Sequence, residues 1–193
     1  MSKPHEFAKA LDLALRPIGV MRSSLVVHHE APRQPRVEPA SEEPMVRGEI
    51  HIAQGLQNAL HDLEGFSHIW VLFVCDRTRG WNSKVQPPRD TEKRGVLATR
   101  SPARPNPIGL SCVRLVRVEK RVLMVGDHDI LDGTPILDIK PYLPYCDSVP
   151  DARIGWVANV ATDAADHREW WNDKDAPLPS VYRERLDQKK RDE

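Results

Sequence analysis

Two arginines four residues apart, Arg100 and Arg104, stand in the string Ala98-Thr99-Arg100-Ser101-Pro102-Ala103-Arg104-Pro105-Asn106-Pro107-Ile108-Gly109-Leu110-Ser111. Pro102, Pro105 and Pro107 restrict the backbone, so little further entropy is lost when the side chains it carries close on a ligand. A guanidinium grips a carboxylate or a phosphate through two parallel hydrogen bonds. The string therefore reads as a preorganised anion site, because a plain strand connection would need no such stiffening.

A second cluster is Asp132-Gly133-Thr134-Pro135-Ile136-Leu137-Asp138-Ile139-Lys140-Pro141-Tyr142. Asp-Gly marks a tight turn, and the strand alternation after it puts Asp138 and Lys140 on one face, Leu137 and Ile139 on the other. A carboxylate and an ammonium sharing a face are either a salt-bridged pair or a pair of working groups, and spacing leaves both open. Two smaller signals complete the set. Pro32-Arg33-Gln34 lies in a proline-rich stretch, and Asp76-Arg77 follows the most apolar run, residues 69–75. Strand ends and the loops beyond them are where binding groups gather.

The elements that must hold these groups are mostly strands. Short Val/Ile/Leu runs at residues 17–22, 47–52, 67–75, 95–99, 112–119, 121–126 and 135–139 are punctuated by glycine and by 17 prolines. The polar link Glu119-Lys120-Arg121 between two of them predicts a hairpin. Residues 55–64 predict a short helix, with Leu56, Leu60 and Leu63 on one face and Gly65 at its C-terminal cap. Residues 28–44 carry prolines at 32, 35, 39 and 44 and are expected to form a long loop. Many short strands with little helix predict a mainly β fold, a small closed or nearly closed β-barrel with short helices and a polar C-terminal tail. The barrel domain is placed at residues 14–150 and the extension at 151–193, where Trp170-Trp171 is followed by a charged run suited to docking on a partner.

Composition excludes several classes. With 193 residues, 40% of them hydrophobic and 29% charged, the chain can bury a core, and it has no apolar run of about 18 residues to span a membrane. The first fifteen residues contain His5, Glu6, Lys9 and Asp12, unlike a secretory signal, so a cytoplasmic protein is expected. Cys75, Cys112 and Cys146 stand far apart, which argues against a disulfide framework. The histidines show no ligand spacing, so no metal is expected. Net charge is zero but unevenly spread: residues 77–121 hold 12 basic and 3 acidic side chains, between acidic flanks. Such a segment is either a polyanion-binding surface or a solvated face.

Residues 98–111 and 132–148 together resemble the TsaA-like family, which includes the TrmO methyltransferases of tRNA. The resemblance extends to Arg16-Pro17-Ile18-Gly19 with Arg22-Ser23, to Pro32-Arg33-Gln34, to residues 63–70 and to Gln86-Pro87-Pro88-Arg89. It implies a β-barrel, a homodimer, bound S-adenosylmethionine, and methyl transfer to N6 of threonylcarbamoyladenosine at position 37, in the anticodon loop of tRNA. Family cofactor contacts carry over onto Pro32, Arg33, Gln34, Arg100, Leu110 and the turn Asp132, Gly133, Thr134 and Pro135. Asp76 and Arg77 occupy the cofactor position where longer bacterial members have His and Gln. Those members also carry a larger C-terminal domain. The ten glycines form no G-x-G, which argues independently against a Rossmann unit.

Under that resemblance, Arg104, Lys140 and Tyr142 are assigned to the substrate and Asp138 to the N6 proton. Arg100 and Arg104 could hold the cofactor carboxylate, the threonyl carboxylate or a phosphate. Trp81, within the basic segment, either stacks on a loop base or packs inside. A methyltransferase acting on a small molecule and a non-enzymatic RNA-binding barrel are the rival readings.

Overall fold

The structure is a computed structural model and describes residues 14–27, 31, 46–87 and 90–159. The strands are β1 (Gly19–Ser23), β2 (Arg47–Ile52), β3 (His68–Val74), β4 (Lys84–Val85), β5 (Arg94–Gly95), β6 (Ile108–Glu119), β7 (Val122–Gly126) and β8 (Pro135–Pro141). Six of these close into an antiparallel barrel in the order β1-β2-β7-β6-β3-β8, with β8 pairing back onto β1. Closure satisfies both edges of every barrel strand, as the many short strands predict. β4 and β5 form a separate two-stranded arm.

The inward residues make one core of Met21, Ile50, Ile52, Ile69, Val71, Val113, Leu115, Leu123, Val125, Ile130 and Ile136, none more than 7% exposed. Each buried aliphatic side chain of this size contributes roughly 1.5–3 kcal/mol. Gly109 also faces inward, and a Cβ there would stand 2.3 Å from the Phe73 ring. β6 and β7 join through Lys120 and Arg121, since Glu119 already pairs with Val122, and Lys120 has φ 54°. A bulge between Leu72 and Phe73 lets β8 slip by one residue, which puts Ile136 and Ile139 against the core and Asp138 and Lys140 outside.

Three local expectations change. Residues 55–64 form two 3-10 turns, Gln57–Leu60 and Leu63–Gly65, because Asp62 takes a left-handed φ of 65° between them. So short a segment also gains too few hydrogen bonds to offset helix nucleation. Leu60 and Leu63 still pack on the core. The run at 95–99 is extended only at Arg94–Gly95, and Val96–Ala98 turns as a 3-10 helix that buries Val96. β6 begins at Ile108, four residues early, because residues 108–111 pair with residues 71–74 of β3. After β8 comes one helical turn, α1 (Pro144–Asp147).

The chain divides into two compact units, Met1–Arg153 and Ile154–Glu193. In the second, the described residues form the 3-10 turn Gly155–Asn159. No described helix is long and apolar enough to cross a membrane. The proline-rich stretch with Pro32, Arg33 and Gln34, together with Arg89 and the pair Trp170-Trp171, lies outside the described residues.

Candidate functional site at the barrel mouth

Antiparallel closure brings the ends of β1, β3 and β7 and the starts of β2, β6 and β8 to one mouth of the barrel. The tight turn before β8 is its corner. Gly133 takes φ 76°, a conformation glycine adopts without a Cβ penalty. The turn is stitched to β1 and the loop after it by Met21 N–H to the Thr134 carbonyl at 2.9 Å, Gly133 N–H to the Met21 carbonyl at 2.8 Å and Asp132 N–H to the Leu25 carbonyl at 2.8 Å. The Asp132 carboxylate accepts from Ser23 N–H at 3.1 Å and pairs with Arg22 at 3.7 Å.

Arg77 gives this corner its third support. Its guanidinium donates to the Asp132 carbonyl and, at 2.5 Å, to the Val26 carbonyl. The end of β3 is thereby tied to both the turn and the loop after β1. Asp76 beside it is exposed.

The segment with the two arginines folds over the same mouth. Cys75 N–H donates to the Pro107 carbonyl at 2.7 Å, which fixes its end against β3. Within it, Arg104 Nη1 donates to the Thr99 carbonyl at 3.3 Å and the Thr99 hydroxyl donates to the Val96 carbonyl at 2.8 Å. Beneath it, the Ser111 hydroxyl donates to Asp129 Oδ1 at 2.6 Å.

Burial raises the Asp129 carboxyl from 3.8 to about 6, while the Ser111 hydrogen bond, its own backbone N–H and the Arg100 charge oppose that rise. Cys75 is pushed up to about 11 by burial and then by the Asp129 and Asp76 carboxylates, with Arg104 acting the other way. A thiol held there is a packed group and not a nucleophile at neutral pH.

Asp129 and Ser111 are the residues sequence reasoning missed. One signal was available: Ser111 alternates with Gly109 and Val113 on the inward face of a strand, and a polar residue on a core face implies a partner. Nothing in the spacing identifies that partner as Asp129.

The structure thus brings together Asp76, Arg77, Arg100, Arg104, Asp132, Gly133, Thr134 and Pro135 with Asp129. The other predicted residues that the structure describes, Leu110, Asp138, Lys140 and Tyr142, lie along the outer wall. Leu110, 53% exposed, and Asp138 flank Leu72 on neighbouring strands, so they share one outward row beside the mouth. Asp138 pairs with Lys140 at 2.7 Å, so the shared face does carry a salt bridge. Tyr142 sits at the other end of β3, where its N–H donates to the His68 carbonyl at 3.1 Å and its ring meets Trp70 edge-on at 5.7 Å.

The basic segment divides between structural and exposed charge. Arg94 pairs with Asp90 at 2.7 Å and with Glu92 at 3.0 Å, which braces the arm. Arg114 pairs with Asp127 at 3.0 Å on the barrel wall. Arg79, Lys84 and Lys93 are exposed around the arm, and Trp81 is 51% exposed.

Residues 20–148 match the tRNA-methyltransferase O N-terminal domain. The chain is 42% identical over 147 residues to a probable S-adenosyl-L-methionine-binding protein of Pyrococcus abyssi, covering 76% of this chain and 77% of that protein. It is 43% identical over 153 residues to the tRNA (adenine(37)-N6)-methyltransferase of Escherichia coli, covering 74% of this chain and 63% of that enzyme. The crystal structure of TrmO from Pseudomonas aeruginosa superposes with a TM-score of 0.62 at 38% identity, over 76% of this chain and 63% of that one. The chain therefore spans less than two thirds of the length of the last two proteins. A barrel of this topology, the arginine-bearing segment over its mouth and the Asp-Gly turn at its corner all fall within the matched residues, and the chain belongs to the family of the tRNA-methyltransferase O N-terminal domain.

Proposed function

We propose that this chain is an S-adenosylmethionine-dependent methyltransferase acting on N6 of adenosine 37 in the anticodon loop of tRNA, with threonylcarbamoyladenosine as the modified base. The observation that carries the reading is the mouth itself, where Arg100, Arg104 and the Asp132–Pro135 turn converge in a chain 43% identical to a tRNA (adenine(37)-N6)-methyltransferase.

The donor set suits the cofactor. A guanidinium matches its carboxylate, the turn offers backbone groups beside Arg77, and the exposed Leu110 offers apolar surface to the adenosyl group. Pro32, Arg33 and Gln34 complete this set by family resemblance, and Asp76 provides a carboxylate for the amino group. When bound, S-adenosylmethionine supplies a methyl sulfonium, a strong electrophile. The protein's task is then placement, because an in-line approach of nitrogen to methyl at near-attack distance removes most of the barrier that a residue can address.

In this reading Arg104 and Lys140 hold the anionic threonyl group or a loop phosphate. Tyr142 braces the wall that carries Lys140. Asp138, in the outward row with Leu110, would take the N6 proton of the base during methyl transfer. Position 37 lies in a loop, so the base is reached without opening a duplex. The reading also takes the protein to be cytoplasmic, to need no metal, and to form a homodimer. Ile108, Tyr145 and Val149 are exposed apolar side chains that a second copy would cover.

The test is mass spectrometry of tRNA nucleosides from cells with and without the protein. One added methyl group on threonylcarbamoyladenosine, present only with the protein, supports the reading. Cofactor binding without any tRNA product would favour a small-molecule substrate. Binding of tRNA without binding of S-adenosylmethionine would favour an RNA-binding barrel.

A further inference from the structure

Arg77 springs from a stretch of chain that is itself held in place. After β3, Cys75 N–H donates to the Pro107 carbonyl at 2.7 Å, and the Cys75 carbonyl accepts from the Thr78 N–H at 3.2 Å and the Thr78 hydroxyl at 2.9 Å. From this turn the Arg77 side chain crosses to two other segments. Its terminal nitrogens divide between them, Nη1 donating to the Val26 carbonyl at 2.5 Å and Nη2 to the Asp132 carbonyl. Nη2 also lies against the open side of Gly133, 3.8 Å from where a Cβ would stand.

The two carbonyls continue a short ladder between the turn and the chain after β1. Gly133 N–H bonds the Met21 carbonyl and Asp132 N–H bonds the Leu25 carbonyl, both at 2.8 Å. The next carbonyl on each chain, of Val26 and of Asp132, is an acceptor, so the ladder is extended by a donor placed between them. A guanidinium supplies two donors in a fixed fork, which suits that place better than a single ammonium.

We propose that Arg77 is a positioning residue: its guanidinium clamps the Asp132–Pro135 turn to the chain after β1 and so fixes the cofactor-binding turn before the cofactor arrives. The inference rests on the cofactor reading above and deepens it, since the influence of Arg77 on the cofactor then passes through the turn. Val26 stands six residues before Pro32 in the sequence, so the same fork fixes the point from which the chain leads to Pro32, Arg33 and Gln34. Without the clamp the turn is ordered only on binding, and ordering the backbone of one residue costs about tenfold in an equilibrium constant.

The experiment combines amide hydrogen exchange of the ligand-free chain with calorimetric titration of S-adenosylmethionine into the full chain, for the wild type, Arg77→Met and Arg77→Lys. Methionine keeps an unbranched stem without donors, and lysine keeps the charge without the fork. In both variants the Asp132 and Gly133 amides should exchange about tenfold faster, as a locally opened segment does, while those of β3 and β6 keep their wild-type rates. Both variants should bind S-adenosylmethionine about tenfold more weakly at unchanged stoichiometry. That combination is one that general damage to the fold would not produce, because damage lowers the number of binding sites. Thermal melting checks that both variants are folded.

Wild-type exchange rates in both variants would overturn the clamp. Faster exchange with unchanged affinity would make it a brace with no bearing on the cofactor, which overturns the proposal too. So would a lysine variant that binds like the wild type while the methionine variant does not, because Arg77 would then be a direct ionic contact. Failure of the cofactor reading shows separately, as no binding by the wild type, and takes the proposal with it.

Discussion

Arg100 and Asp129 show what a single charge costs and what it does. In the folded chain the Asp129 carboxyl stands near 6 against an ordinary 3.8, so between those values the native state holds a proton that the unfolded chain releases. The associated stability is full below 3.8 and is lost as pH rises through about 6, on the order of 3 kcal/mol in all. Asp129→Asn should therefore melt higher than the wild type at pH 7.5, with the gain vanishing near pH 4. Melting curves that show a lower Tm at pH 7.5 would contradict this. At Arg100 the expectation concerns activity. Arg100→Ala should lower methyl transfer at least tenfold while Arg117→Ala leaves it unchanged, because Arg117 is an exposed strand residue paired with Glu119 at 2.9 Å. Arg114 is a poor control, since removing it strands Asp127 in a half-buried pair.

At the scale of elements, the site depends on how β3 and β6 are spliced. Their register sets Phe73 opposite Gly109 and Val71 opposite Ser111, which carries the inward row up to the mouth. A Cβ at residue 109 would stand 2.3 Å from the Phe73 ring, tighter than packed atoms allow. Gly109→Ala should cost about 2 kcal/mol by overpacking and lower Tm by roughly 5 °C. Adding Phe73→Leu, which frees the space, should recover part of that loss. Additive losses in the double variant would mean that the ring is not what residue 109 meets.

At the scale of the whole molecule, an exposed basic arm accompanies a barrel whose mouth is the site proposed for the cofactor. If the arm docks tRNA, Arg79, Lys84 and Lys93 are the side chains to change, since Arg94 is tied into the arm by Asp90 and Glu92. The triple alanine variant should bind tRNA more weakly, and the slope of log affinity against log salt should fall by about 2, one counterion term of roughly 0.7–0.9 for each lost contact. Affinity for S-adenosylmethionine should be unchanged. Fluorescence anisotropy at several salt concentrations reads both, and an unaltered slope would make the arm a solvated face.

Much of this was legible in the residues alone, because it rests on short-range chemistry. Alternation marked most barrel strands, three prolines marked a stiff segment under Arg100 and Arg104, and Asp132-Gly133 marked the turn that Gly133 makes at φ 76°. The break at Asp62 and the early start of β6 were not legible, since one depends on a single left-handed residue and the other on the partner strand. Arg77 shows the same divide. Its sequence shows only a departure from the family's His-Gln pair, whereas the fold gives it two carbonyls, on Val26 and on Asp132, 51 and 55 residues away. Asp129 carried no motif at all. Its burial and its bond to Ser111 exist only because barrel closure brings β6 and the segment after β7 to one mouth, and proximity of that kind is set by register and packing across the whole chain.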